Sequence, residues 1–244
     1  VTVIAAVRTP HRVVMGCDTR TDYSGTGMLI QDSKIGTLIA PNGDRVLIAS
    51  SGNAAMQRVV QRGLKIDDTP DASDDTAADL WADAVAVAIT DLLADSKPAV
   101  VNSGGDEASS IDGTLILAWR QHLWWIFTHS AVRPAGGVLA IGSGVEVALG
   151  SLHTAAQADM DPEEAVQLAV RLACRHASGC GMDDRGPLMH YTVDPLVPQQ
   201  AARSIAVETA KQRLAAAQTS GDPLDIRDAE IRLRRANAGE FDIC

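Results

Sequence analysis

Cysteine is scarce and unpaired in pattern. Cys17, Cys174, Cys180 and Cys244 are scattered along 244 residues with no Cys-x-x-Cys spacing. The plain reading is a cytoplasmic chain with reduced thiols. Long apolar runs are also missing, which rules out a membrane-spanning helix. The first residues lack a basic segment followed by an apolar core and a small-residue cleavage site, so no secretory signal is expected. Positive charge is in deficit: 21 Lys and Arg against 31 Asp and Glu leave a formal charge of −10. That balance excludes a general nucleic-acid or anionic-membrane binder. Aromatic residues make up only 3%, yet 46% of the chain is apolar, ample to bury the core of one large domain or two small ones. No repeat at a solenoid period is present.

What is there begins as β. Thr2 to Val7 and Arg12 to Cys17 are β-branched runs separated by the turn signal Thr9-Pro10-His11. A Gly-rich loop, Tyr23 to Gly27, precedes two more runs, Met28 to Gln31 and Lys34 to Ala40. Pro41-Asn42-Gly43-Asp44 is a turn before Arg45 to Ser50. Helical spacing follows over Asn53 to Leu64 and Thr76 to Leu93, with the acidic, solvated loop Asp67 to Asp75 between them. Strands return at Thr114 to Trp119, Leu123 to Thr128 and Gly137 to Ile141. Two more helices are expected at Val145 to Ala158 and Pro162 to His176; Asp161 caps the second, with Pro162 at its first position. Met189 to Asp194 closes the series as a strand. This order predicts a sheet core covered by pairs of helices.

The tail differs. Pro195 and Pro198 break the chain. Arg203 to Gln218 is Ala-rich and amphipathic, and Pro223 opens a last helix carrying Arg227, Arg232, Arg234 and Arg235. Two units are expected: residues 1–197 as the main domain and 198–244 as a helical hairpin, packed on the domain or docked on a neighbouring subunit or partner.

One spacing carries chemistry. Thr2 opens the first strand, Asp18 follows sixteen residues later at the end of the second, and Lys34 sixteen residues after that. Singly each has a bland reading: a strand threonine, a turn acid, a solvated lysine. Together they resemble the proteasome β-subunit family, with the HslV-type peptidases, among the N-terminal-nucleophile (Ntn) hydrolases. Thr2 to Val7 is similar to that family's opening strand and Val13 to Arg20 to its second strand and acid. Lys34-Ile35 matches its lysine strand, and Leu47 to Ser50 the strand before its oxyanion site. Ala140-Ile141-Gly142-Ser143-Gly144 matches its Gly-Ser-Gly turn, and Glu163 to Gly179 its late helix and loop. The likeness runs over residues 2 to 194.

The resemblance implies an α+β fold, a four-layer αββα sandwich of two mainly antiparallel sheets, with the C-terminal hairpin as an extension. It implies a threonine-type endopeptidase. A threonine hydroxyl needs a base, and the α-amine of a chain that starts at Thr2 titrates near pH ~8 and can serve. Lys34 would supply positive charge, Asp18 would orient it, and a buried Lys–Asp pair is tolerable where either alone is costly. The backbone N–H at Ser50, where the family usually has glycine, would be the oxyanion donor. Ser143 would hold the Thr2 amine. Ser178 would help position the N-terminus, with Arg175 standing where many members carry an acid. By register, Thr21, Asp32, Gly36 and Ile48 would line the pocket for the residue preceding the cut. Val1 stands ahead of Thr2 and is read as an initiator codon whose residue is removed.

No metal or organic cofactor is implied. The partners implied are a peptide or unfolded-protein substrate and further copies of the chain in a homo-oligomeric ring. An AAA+ ATPase partner that unfolds substrate is compatible with this, and nothing in the sequence specifies one. Two rivals stand beside it: an Ntn amidase or acyltransferase acting on a small amide, and a non-catalytic ring subunit.

Other signals are weaker. Gly142-Ser143-Gly144 lacks the third glycine of a dinucleotide fingerprint, Val147 standing in its place. Cys174, His176, Cys180 and Met182 match no common zinc spacing. Trp119, Trp124 and Trp125 read as sheet or interface packing. His11, His122, His129 and His153 read as isolated residues in turns or on polar faces, and no Ser-His-Asp order is present.

Overall fold

The computed structural model describes residues 2–21, 28–29, 33–96, 100–101 and 110–193, with scattered positions between 207 and 234. Val1, Asp32, the loop at 23–27 and most of the expected hairpin lie outside the described residues.

The chain runs β1 (Ile4–Arg8), β2 (Val13–Cys17), β3 (Arg20–Thr21), β4 (Met28–Leu29), β5 (Ile35–Ile39) and β6 (Arg45–Gly52). Helices α1 (Ala54–Gly63) and α2 (Asp75–Ser96) follow, then β7 (Val100–Val101), β8 (Ser110–Ile111), β9 (Gly113–Trp119), β10 (His122–Phe127) and β11 (Ser130–Val132). The unit closes with β12 (Val138–Ile141), α3 (Val145–Gln157), α4 (Pro162–His176) and β13 (Leu188–Tyr191). The four helices expected within residues 1–197 are present. The short strands β3, β7, β8 and β11 carry too few residues to show a period of two and were not legible in the sequence.

Two antiparallel sheets form the centre. One has the order β12-β1-β2-β13, the other β11-β10-β9-β6-β5. The alternation of side chains along each strand sorts them into three apolar layers. Ile4, Ala6, Met15, Leu47, Ala49 and Ile116 meet between the sheets. Val3, Ala5 and Val14 point the other way, against Leu152 of α3 and Val166, Ala169 and Val170 of α4. Val46, Ile48, Leu115 and Leu117 face Met56 and Val60 of α1 and Val85 and Ile89 of α2. Helix layer, sheet, sheet, helix layer is the four-layer sandwich expected.

Local signals set the helix starts. The Asn53 side chain accepts the Ala55 amide at 2.9 Å, and Asp161 accepts the amides of Glu163 and Glu164 at 2.9 and 3.2 Å. His122 corrects the reading of a polar-face histidine. It begins β10, is 1% exposed and stacks between Trp119 and Trp124, with centroids 5.2 and 5.5 Å away.

The chain divides into two compact units, residues 1–193 and 194–244. In the second, the described positions, Val207, Leu214, Ile226 and Ile231 among them, are helical.

Candidate active site

β1, β2 and β5 bring three side chains to one end of the inter-sheet layer. Thr2 precedes β1, Asp18 follows β2, and Lys34 precedes β5. All three are buried, Asp18 completely. A lone carboxylate there would be costly, and Asp18 is satisfied on both oxygens. Oδ1 accepts the Lys34 ammonium at 2.6 Å and the Val3 amide at 3.0 Å; Oδ2 accepts the Gly181 amide at 3.1 Å. The Asp18 amide donates in turn to the Val3 carbonyl at 3.2 Å. Asp18 is thus tied to the chain next to Thr2 and to the loop after α4. The Lys34 ammonium also donates to the Arg20 carbonyl. Its charge is fixed from two sides, and its aliphatic stem is shielded from solvent.

The turn between β12 and α3 wraps the other side of Thr2. The Ser143 hydroxyl accepts the Thr2 N–H at 3.2 Å and donates to the Thr2 carbonyl at 3.3 Å, which also accepts the Gly144 amide at 3.2 Å. This embrace needs glycine at 142. Its φ is +97°, and a Cβ there would lie 2.2 Å from the Thr2 carbonyl oxygen.

Thr2 lines two cavities. A cleft of about 700 Å³ holds Thr2, Thr21, Lys34, Gly36 and Ser50, with one face of α1. A second cavity of about 410 Å³ lies between Thr2, Ser51, Ser143 and Trp125. The two share Thr2, Ser51 and Gly52, so the threonine stands between them.

Five of the six expected site residues are therefore brought together: Thr2, Asp18 and Lys34 in the buried cluster, Ser143 on the Thr2 backbone, and Ser50 on the wall of the larger cleft. Ser178 stands apart. It is exposed in the turn after α4 and makes no hydrogen bond to the cluster. Gly179, at φ +89°, turns the chain so that the next two residues reach the site instead: Cys180 Sγ lies 3.6 Å from Ser143 Oγ, and Gly181 donates to Asp18. Of the expected pocket residues, Thr21 and Gly36 line the cleft. Ile48 does not; it is buried beneath α1 with Met56 and Val60.

Three surrounding groups were missed in the sequence. Ser33 lines the cleft and hydrogen-bonds His190 at 2.7 Å, and its hydroxyl also meets the Ile35 amide at 3.1 Å and Cys17 Sγ at 3.5 Å. Gln57, Arg58, Gln61 and Arg62 supply the α1 wall. Trp125 lines the second cavity, and its buried indole N–H has no hydrogen-bond partner among the described residues. Burial pushes the thiols of Cys17 and Cys180 up despite hydrogen bonds from Ser33 and Ser143, so neither is an activated thiolate.

Solved structures place this architecture. Thiobacillus denitrificans BPH, solved in complex with epoxomicin, superposes with a TM-score of 0.59 at 18% identity, over 78% of this chain and 97% of its own. Eukaryotic HslV from Trypanosoma brucei matches at 0.50 and 16%, over 78% and 98%. The Anbu (Gly-1) mutant from Hyphomicrobium sp. strain MC1 matches at 0.55 and 16%, over 78% and 80%. The fold is the proteasome-like Ntn-hydrolase fold. No family model matches the sequence, and no curated protein matches it. At these identities the likeness is one of fold, and the chemistry rests on the residues themselves.

Proposed function

We propose that the protein is a threonine-type endopeptidase with Thr2 as its nucleophile. One observation carries this reading: Thr2, Lys34 and Asp18 converge where a large cleft ends, with Asp18 holding both the Lys34 ammonium and the Val3 amide. In a chain that starts at Thr2, the α-amine next to Ser143 accepts the hydroxyl proton as Thr2 Oγ attacks the substrate carbonyl. The Lys34 charge favours the alkoxide, and the Ser50 N–H is the donor assigned to the developing oxyanion. The amine leaves with the proton, an ester to Thr2 remains, and water deprotonated by the α-amine releases the acid. Ser143 positions that amine; the place given to Ser178 passes to Cys180 and Gly181.

Substrates are peptides or unfolded chains, and the copies assemble into a homo-oligomeric ring, with residues 198–244 as an appended helical hairpin. An AAA+ ATPase is the class of partner that would feed such a chamber.

The test uses protein whose first residue is Thr2, verified by intact mass, treated with epoxomicin, the compound bound to Thiobacillus denitrificans BPH. The expected result is one covalent adduct on the Thr2 peptide, absent in Thr2→Ala, with matching loss of peptide hydrolysis. Neither adduct nor hydrolysis from a chain with a free Thr2 amine overturns the reading.

A further inference from the structure

Among the described residues, the larger cleft is lined by charge of one sign. Its charged lining residues among those described are Lys34, Arg58 and Arg62, all cationic, in a chain of net charge −10. Lys34 is balanced by Asp18 at 2.6 Å. Arg58 and Arg62 form no ion pair with a described residue. They are one turn apart on α1, which brings two guanidinium groups to the same side of the helix. The buried residues of α1, Met56 and Val60, are out of phase with them, so the helix is fixed by its core while its arginines face the cleft.

The floor is polar as well. The Gln61 side chain lies over Gly36 so closely that a Cβ there would fall 1.9 Å from its amide nitrogen. Gln57 is tethered by its own amide to the Ser33 carbonyl at 2.8 Å. Amides and guanidinium groups thus line this wall of the cleft, while Ile48, the apolar residue expected there, is buried in the core.

We propose that this cleft selects an acidic side chain on the residue preceding the scissile bond, with Arg58 and Arg62 as the groups that read it. The inference rests on the peptidase reading above and names its substrate class. An aspartate or glutamate side chain gains charge-assisted, two-pronged hydrogen bonds from a guanidinium. A basic side chain meets two like charges. An apolar one strips water from the arginines and returns nothing.

Four fluorogenic tetrapeptides differing only in the residue before the reporter, Glu, Gln, Leu or Arg, test this on wild type and on the R58E/R62E variant. Both positions are exposed on α1 and glutamate is a good helix former, so an unchanged melting temperature is the control for folding. Wild type is expected to favour Glu over its neutral isostere Gln by about tenfold in kcat/KM, the factor that ~1.4 kcal/mol supplies. Added salt should shrink that ratio. The variant should lose the preference and take the Arg peptide best. Equal turnover of Glu, Gln and Leu by wild type overturns the inference, as does a Glu preference that survives in the variant. If no peptide is cut and epoxomicin forms no adduct, the peptidase reading has failed and the inference falls with it. An epoxomicin adduct with no Glu preference removes the inference alone.

Discussion

Ser143 grips Thr2 at both ends of its backbone, accepting the N–H at 3.2 Å and donating to the carbonyl at 3.3 Å. A single hydroxyl therefore fixes where the nitrogen of residue 2 sits, and nitrogen position decides whether it can take a proton from its own side chain. Ser143→Ala should slow epoxomicin modification and peptide cleavage by about 10²-fold, the lower range for a mispositioned general base. Because the Gly144 amide still holds the Thr2 carbonyl, the melting temperature should move little. A rate within twofold of wild type would show that Ser143 does not position the amine.

The Asp18–Lys34 pair is the cluster's energetic weak point. Both side chains are buried, so removing one partner strands a charge and should cost about 3–5 kcal/mol. Asp18→Asn and Lys34→Met are each expected to lower the unfolding free energy from urea melts by that amount. The double variant, in which no unpaired charge remains, should recover much of the loss while staying inactive. Additive losses in this double-mutant cycle would mean that the two residues are not coupled.

Gly142 is tested by a single methyl group. At φ +97°, with a virtual Cβ 2.2 Å from the Thr2 carbonyl oxygen, Gly142→Ala must shift either the turn or Thr2. A cost of about 1–3 kcal/mol is expected from the backbone alone. Activity should fall further than stability, because the atom displaced belongs to the residue proposed as the nucleophile. Thermal melts and epoxomicin labelling measure the two effects separately.

Acid should weaken the fold through two histidines. Burial holds the His122 pKa below its ordinary value; the hydrogen bond to the Ala72 carbonyl and the Asp75 charge oppose that, and Arg133 adds to it. Burial and then Arg45 do the same to His190. In both, the folded state binds its proton later than the unfolded state. Their stability contribution is complete above about pH 6.5 and is lost as pH falls toward the lowered folded values. Urea midpoints should therefore drop on acidification through this window, and His122→Gln, which removes one titrating group, should flatten the drop. A midpoint independent of pH between about 7 and 5 would contradict the assignment.

Much of this was legible in the sequence because it is local. The β-branched runs before and after Pro10 fix β1 and β2, and once those strands pair, Asp18 falls beside Val3 by register alone. The Gly-Ser-Gly turn signals its own geometry. What was not legible depends on how elements pack. Arg58 and Arg62 resemble any solvated pair until α1 lies along β5 and β6. His122 is polar by composition and is buried only because Trp119 and Trp124 close over it. Ser178 matches a sequence pattern, but the turn at Gly179 leaves it exposed and brings Cys180 to Ser143 and Gly181 to Asp18. Ile48 alternates correctly along β6 and faces the core side, whereas Gln61, twenty-five positions from Gly36 in the chain, covers the floor it was expected to form.

Trp125 tests the second cavity. Its buried indole N–H, in the cavity lined by Thr2, Ser51 and Ser143, has no partner among the described residues, and a buried donor left unpaired costs about 1–3 kcal/mol. If the second cavity receives the part of the substrate beyond the cut, a peptide carbonyl entering there, with a small turn of the indole, supplies the acceptor this N–H lacks among the described residues. Trp125→Phe keeps the ring and deletes the N–H. It should leave folding stability equal or slightly raised, and it should leave turnover of short reporter peptides, whose leaving group is a dye, nearly unchanged. Longer peptides that extend past the scissile bond should lose several-fold in kcat/KM. Equal losses for short and long substrates would show that the cavity is not where the leaving segment binds, and mass-resolved cleavage of matched peptide pairs measures both from one digest.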